Sequence, residues 1–258
     1  MKSKNLLLGI LAITLVFGMM AVGCGEDPAD ENNNNNNNNN NSGGTYLDFT
    51  YTETANAVTV TKYNGDGGSV VVPVQINGKP VTSIGQSAFY GKAGITGVTI
   101  PDGVITIGRT AFYGCTSLAS IAVPNSVTNI GIGVFSQTAW FNSKPNGLIY
   151  IGKVAYQYKG TVNTSITILD GTKGIAGAAF ASKDIPSVTI PNSVISIETE
   201  AFSNCSSLTS VTFQGAITSG GFNSNAFEYL GDLRAKYLAG GIGTYTRPNT
   251  TSTTWTKS

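Results

Sequence analysis

Apolar and polar positions along most of the chain follow a pattern that returns every 22 or 23 residues. The stretch Val104–Ser126 reads VITIGRTAFYGCTSLASIAVPNS. Its IG and AF dipeptides, and the alternating residues of its predicted strand, recur in other parts of the chain. Related copies lie at Val81–Gly103, Val127–Phe135, Thr172–Ser193 and Val194–Gly215, and the shared phenylalanines are Phe89, Phe112, Phe135, Phe180 and Phe202. A fixed period of this length predicts a repeat protein in which each repeat is one small structural unit.

Each repeat is predicted to begin with a short strand. Segments such as Ser187–Ile190 (SVTI) alternate in the manner of a half-buried strand. The proline that follows, as at Pro101, Pro124 and Pro191, cannot donate a ladder hydrogen bond and ends the strand. The next apolar residues are three to five apart, which predicts a second short extended stretch and a helical or 3₁₀ turn. One such unit cannot bury its own apolar face, whereas stacked units bury one another's.

The pattern L..I.VP..V..I....F of Leu118–Phe135, together with IG..AF..C, resembles the BspA-like leucine-rich repeats of bacterial surface proteins. The resemblance extends from about Phe49 to Thr256. It implies a leucine-rich repeat solenoid, β-rich and of the α/β type. Short parallel strands would lie on the concave side, with turns or short helices on the convex side. It also implies an adhesin or another surface-exposed binding protein.

The chain divides into four predicted segments. Residues 1–23 read as a lipoprotein signal peptide, and residues 24–44 as a flexible, asparagine-rich linker. An N-terminal β cap with a partial repeat follows at 45–80. The solenoid occupies 81–258, with an insertion at about 138–171 and a C-terminal cap from about 216.

The insertion interrupts the repeats and contains a predicted β-hairpin. Its strands are expected at Leu148–Ile151 and Val154–Tyr158, with the turn at Gly152–Lys153. Insertions in solenoids map to one face, which is often the binding face. The aromatic residues of this segment are therefore candidate ligand contacts: Trp140, Phe141, Tyr150, Tyr156 and Tyr158. Alternatively, these side chains pack on one another and stabilise the hairpin.

The outward face of the repeat strands is a second candidate surface. It is predicted to be small, uncharged and rich in threonine, and it consists of Thr96, Thr99, Ser120, Ala122, Ser187, Thr189, Ser210 and Thr212. Thr189 and Thr212 are the candidate ligand contacts among them. Threonine is also a good strand residue, so its recurrence has a structural explanation as well.

The N-terminal 23 residues have the features of an export signal. Lys2 and Lys4 precede the uncharged apolar run Leu6–Val22. The sequence AVGC, which ends at Cys24, resembles the bacterial lipobox, although alanine replaces the usual leucine at its first position. It predicts cleavage before Cys24 and lipid attachment to that cysteine. An uncleaved transmembrane anchor is the alternative.

The linker contains ten consecutive asparagines, Asn32–Asn41. These residues cannot offset their ordering entropy by burial, which predicts a spacer. Neutral expansion of a codon repeat would give the same sequence.

Composition restricts the chemistry that is available. The chain has no histidine, which excludes Ser-His-Asp and Cys-His catalysis and histidine-based zinc sites. Removal of the signal peptide leaves 13 basic and 14 acidic residues, so no net charge favours nucleic acid. Cys115 and Cys205 occupy equivalent positions on rungs that are too far apart for a disulfide. We therefore expect two buried free thiols.

A glycosidase would need two carboxylates at a set separation across a cleft. The best local pair is Glu198 and Glu200, and we expect both to be solvated turn residues. The sequence thus predicts no catalytic residue, no metal site and no cofactor, and a carbohydrate-active enzyme is disfavoured.

The resulting prediction is a non-enzymatic, lipid-anchored binding protein of adhesin-like character at the cell surface or outer membrane. Its partner would be a host matrix protein, a glycoprotein or another cell surface, and the chain would be a monomer. The alternative is a periplasmic or envelope scaffold protein without a host ligand.

Overall fold

The computed structural model of the protein describes residues 42–258. The predicted signal peptide, the lipid site Cys24 and nearly all of the predicted linker lie outside the described residues.

An antiparallel meander forms the N-terminal cap. It consists of β1 (Ser42–Tyr46), β2 (Phe49–Glu53) and β3 (Val58–Tyr63). The third strand then pairs in parallel with β6 (Lys79–Ile84), which also pairs with the short β5 (Gln75–Ile76). The cap therefore presents a parallel edge on which the repeats stack.

Two rows of short parallel strands run along the solenoid, and each turn of the chain, here called a rung, adds to both rows. By repeat position the first row contains β4 (Gly68–Val71), β7 (Ile95–Thr99), β9 (Ser120–Ala122), β13 (Ile166–Thr167), β15 (Ser187–Ile190) and β17 (Ser210–Phe213). The second row contains β6, β8 (Thr106–Ile107), β10 (Asn129–Ile130), β14 (Gly174–Ile175) and β16 (Ser196–Ile197). Equivalent residues pair from rung to rung, as Ile84, Ile107 and Ile130 do. The solenoid has about seven turns and little helix, which confirms the predicted leucine-rich repeat fold.

A tight turn returns the chain from the second row to the first. In the turns around Phe89, Phe112, Phe135, Phe180 and Phe202, the residues two before and two after the phenylalanine have left-handed backbone conformation. Glycine occupies some of them, but Thr110, Gln137 and Glu200 occupy others at φ of 52°, 62° and 59°. Such conformations are unfavourable for a residue with a side chain. They are maintained here because the turn backbone bonds to the adjacent rung, as the Phe112 N–H does to the Val134 carbonyl at 3.0 Å.

The repeat phenylalanines stack in the core. Ring-centroid distances are 4.6 Å for Phe89–Phe112, 5.4 Å for Phe112–Phe135, 5.0 Å for Phe180–Phe202 and 4.7 Å for Phe202–Phe227. Cys115 and Cys205 are buried and free beside this column, as predicted. Each thiol donates to a phenylalanine carbonyl of the preceding rung at 3.0 Å. Burial raises the pKa of both thiols to about 11, so they behave as small apolar side chains.

The C-terminal cap closes the last rung. It contains α2 (Leu233–Gly240), β18 (Gly243–Thr246) and β19 (Thr256–Lys257), and β18 pairs antiparallel with β17. The buried guanidinium of Arg247 donates to three carbonyl groups, those of Ser206, Leu208 and Ser252. In this way one side chain satisfies backbone acceptors at the end of the stack. Between residues 42 and 258, no helix is long and apolar enough to cross a membrane.

Candidate functional site

The predicted hairpin is present and is part of the solenoid. A one-turn helix, α1 (Ala139–Asn142), leads into β11 (Gly147–Ile151) and β12 (Val154–Lys159), which pair antiparallel. The second hairpin strand also pairs in parallel with β14 of the next rung. The insertion therefore adds strands within the stack, between the rungs that contain β10 and β14.

Both faces of the hairpin are apolar, and each packs against a different part of the core. Side chains of one face join the N-terminal core cluster: Ile149, Ile151, Val154 and Tyr156. Side chains of the other face join or pack against the C-terminal cluster: Leu148, Tyr150 and Ala155. Successive side chains of a strand point to opposite faces, so this alternation divides the two clusters. Tyr158, near the end of β12, also packs against the C-terminal cluster but does not follow the alternation. The hairpin is a partition between the two halves of the core.

Tyr156 is the most deeply buried of the predicted aromatic contacts, with 1% of its surface exposed. Its hydroxyl accepts a hydrogen bond from the N–H of Phe135 at 2.9 Å. In regular rungs the backbone N–H of the repeat phenylalanine donates to a backbone carbonyl of the following rung. The Tyr156 hydroxyl takes the place of that carbonyl. Burial raises the pKa of Tyr156 to about 12. A side chain in this position does not reach a ligand at the surface.

The other four aromatic residues are half-buried, and each already has an intramolecular partner. The Lys144 ammonium lies 4.6 Å from the Trp140 ring centroid, and the Lys159 ammonium lies 5.4 Å from that of Phe141. The Tyr150 hydroxyl accepts from the N–H of Leu169 at 3.0 Å. Tyr158 lies 6.3 Å from Phe180, where it continues the aromatic column. These contacts correspond to the alternative in which the aromatic side chains stabilise the hairpin, and they leave only a minor part of each side chain exposed.

The outward strand face differs between the two halves of the solenoid. Thr96, Thr99, Ser120 and Ala122 are exposed, whereas Ser187, Thr189, Ser210 and Thr212 are half-buried. The hydroxyl of Thr212 lies 2.9 Å from that of Thr244, because β18 of the cap lies beside β17. The N-terminal half thus offers the more open strand face.

A stacked pair of tyrosines, one exposed and one half-buried, was not among the predicted contacts. Tyr90 and Tyr113 follow the repeat phenylalanine in two successive rungs, and their rings stack at 5.2 Å with an interplanar angle of 9°. Tyr90 is 55% exposed. The repeated tripeptide AFY was the signal in the sequence, since other rungs have Ser136 or Ser203 after the phenylalanine.

Glu198 is not the solvated turn residue that the sequence predicted. It follows β16 directly and is half-buried, and its Oε1 accepts from Asn129 Nδ2 at 2.6 Å and from Ser196 Oγ at 3.3 Å. Burial raises the pKa of this carboxyl group, and the two hydrogen bonds oppose the increase. Glu200 lies in the turn, as expected. The described part of the chain has no group of three or more His, Cys, Asp or Glu side chains that could hold a metal ion.

Stacked rungs with two rows of short strands and a central phenylalanine column define a leucine-rich repeat solenoid. The family model described as the BspA type leucine rich repeat region matches six copies, over residues 82–159 and 142–244. The chain belongs to this family.

Solved structures of other leucine-rich repeat proteins are similar to the chain. One is the T. pallidum leucine-rich repeat protein, at 24% identity and a TM-score of 0.43, with 78% of this chain and 97% of that chain covered. Another comes from Bacteroides ovatus, at 26% identity and a TM-score of 0.38, with 69% of this chain and 40% of that chain covered. A comparison with curated protein sequences finds no match.

Proposed function

We propose that the protein is a non-enzymatic surface binding protein of adhesin-like character, anchored by a lipid on Cys24. Membership of a repeat-scaffold family supports a binding role. The observation that carries the proposal is the stacked pair Tyr90–Tyr113 on the solenoid surface, in which Tyr90 is exposed and Tyr113 is half-buried. Tyrosine is enriched at recognition surfaces because it buries a large area with few rotatable bonds. The partner is a macromolecule: a matrix protein, a glycoprotein or another cell surface.

Two contact patches are proposed. The first is the tyrosine pair. The second consists of the exposed parts of the hairpin aromatics and two threonines of the strand face: Trp140, Phe141, Tyr150, Tyr158, Thr189 and Thr212. Tyr156 supports the second patch from the interior rather than contacting the partner.

A double variant, Tyr90→Ser with Tyr113→Ser, tests the first patch. Serine stands at the equivalent position of two other rungs, so the fold should tolerate it. Against an array of matrix proteins, mucins and glycans, we expect saturable binding by the native full-length chain. Binding by the double variant should be at least about 10-fold weaker, because aromatic hot spots contribute about 2 kcal/mol or more. The matched control is Tyr229→Ser, which removes a single exposed tyrosine that stacks on no ring of residues 42–258.

Equal binding by the double variant and the native chain would move the site to the second patch. An absence of saturable binding would contradict the adhesin proposal and favour the envelope scaffold. The inward packing of the hairpin aromatics is the observation that favours this second function.

The anchor is tested separately, on intact cells that synthesise the full-length chain with a metabolically labelled fatty acid. We expect the label on the native protein and not on a Cys24→Ser variant, since the thiol is the attachment point. Because the proposed location is the cell surface, protease added to the intact cells should digest the native protein. Label on the Cys24→Ser protein would exclude this cysteine as the attachment site.

A further inference from the structure

A cleft of about 250 Å³ opens beside the second strand row, where the hairpin interrupts the repeats. It extends over four rungs, from the rung of β8 to the rung of β16. Its lining includes glycine backbone, aliphatic side chains such as that of Ile132, and two side chains of opposite charge: Gly108, Gly131, Gly177, Ile132, Arg109 and Glu198.

The cleft results from the residues that this part of the stack carries. At the position of Glu198, three N-terminal rungs have glycine: Gly85, Gly108 and Gly131. The intervening rung has Ala176 at this position, and it has Gly174 at the position that Asn129 and Ser196 occupy in the neighbouring rungs. A Cβ atom on residue 174 would overlap the Thr128 carbonyl oxygen. Because no side chain projects from Gly174, the Glu198 carboxylate reaches across to Asn129, which lies two rungs away.

One oxygen of this carboxylate lacks a partner. Both hydrogen bonds to Glu198 end on Oε1, and no group of residues 42–258 donates to Oε2. A half-buried anion with an unused oxygen carries a desolvation cost that a cationic group could offset. The raised pKa of the carboxyl group is consistent with this cost.

The opposite end of the cleft contains a cation that is also unpaired. Arg109 is exposed, and within the described chain its guanidinium makes no hydrogen bond or ion pair. Its rung is three steps from that of Glu198, which separates the two backbones by about 14 Å at about 4.8 Å a step. The side chains of Arg109 and Glu198 shorten the distance between the two charged groups, but these groups do not form an ion pair.

We propose that the cleft binds a small zwitterion, a free amino acid or a short peptide. The ligand ammonium would bond to Oε2 of Glu198, the carboxylate would pair with the Arg109 guanidinium, and apolar atoms would lie along Ile132. Charge-assisted bonds at both ends favour a molecule with both charges over one with either alone. The volume, equal to about eight waters, fits such a molecule and excludes a folded partner. This site is independent of the proposed macromolecular contacts.

Titration calorimetry of the full-length chain tests the proposal with L-leucine and the dipeptide Gly-Leu. L-leucine methyl ester and N-acetyl-L-leucine each lack one charge and serve as matched probes. We expect saturable binding of at least one zwitterion, and binding at least about 10-fold weaker for both single-charge probes. Tighter binding of L-leucine would identify a free amino acid as the ligand, and tighter binding of Gly-Leu would identify a short peptide. Absence of binding by both, or equal binding of the single-charge probes, would overturn the proposal.

Three variants locate the site. Glu198→Gln keeps an acceptor for Asn129 and removes the charge, and Arg109→Gln removes the charge at the exposed end. Each is expected to weaken binding at least about 10-fold. Glu200→Gln makes the same charge change in the turn, outside the cleft lining, and should bind as the native chain does. Undiminished binding by Arg109→Gln would contradict the assignment even if Glu198→Gln fails to fold.

Discussion

Replacement of Leu148–Tyr158 by a short glycine turn is expected to abolish cooperative folding of the solenoid. The hairpin contributes buried side chains to both core clusters, so its removal leaves two facing apolar surfaces without a cover. Loss of a single buried Ile costs about 2–5 kcal/mol, and whole domains are stable by only about 5–15 kcal/mol. Several such losses together exceed the whole free energy of unfolding of a domain. Far-ultraviolet circular dichroism during thermal unfolding measures the effect.

The matched control replaces three exposed residues of the same insertion, Asn163–Ser165, with glycine. This segment lies outside both core clusters, so the variant should retain a cooperative transition within a few degrees of the native chain. A hairpin-deleted protein with a native-like transition would show that the two clusters meet without the partition. In that case the hairpin would be a surface insertion, as the sequence suggested.

The repeat pattern was sufficient to predict the solenoid, because a fixed period requires every rung to adopt the same structure. The column of repeat phenylalanines and the buried thiols of Cys115 and Cys205 followed from the equivalence of positions. The hairpin strands were also predictable from their length and the Gly152 turn. Their location was not, since an apolar strand inside a core and one at a binding face have similar sequences.

The site residues were predicted less well because their roles depend on contacts between distant rungs. Glu198 looked like a turn residue, but Asn129, which lies 69 positions earlier, gives it a hydrogen-bonding partner. Nothing within the local sequence around either residue indicates this contact. Tyr90 and Tyr113 differ, because an aromatic at the same position of consecutive rungs must stack. That signal could have been found in the sequence.

Gly174→Ala is expected to destabilise the protein far more than Gly220→Ala does. A Cβ atom on residue 174 would overlap the backbone carbonyl oxygen of Thr128, and backbone atoms cannot rotate away. Overpacking typically costs about 1–3 kcal/mol, and a clash with backbone in the centre of a sheet falls at or above the upper end. For a domain of this size we expect a decrease in the melting temperature of roughly 6–12 °C.

Gly220→Ala is the matched control, because its Cβ atom would enter open space and its melting temperature should change little. The same clash should separate β10 from β14 and lengthen the Asn129–Glu198 hydrogen bond across the cleft. Zwitterion binding should then weaken in Gly174→Ala and not in Gly220→Ala. A Gly174→Ala protein with native stability would mean that β14 can shift along the hairpin strand β12. The Asn129–Glu198 hydrogen bond would then not require that residue 174 lack a side chain.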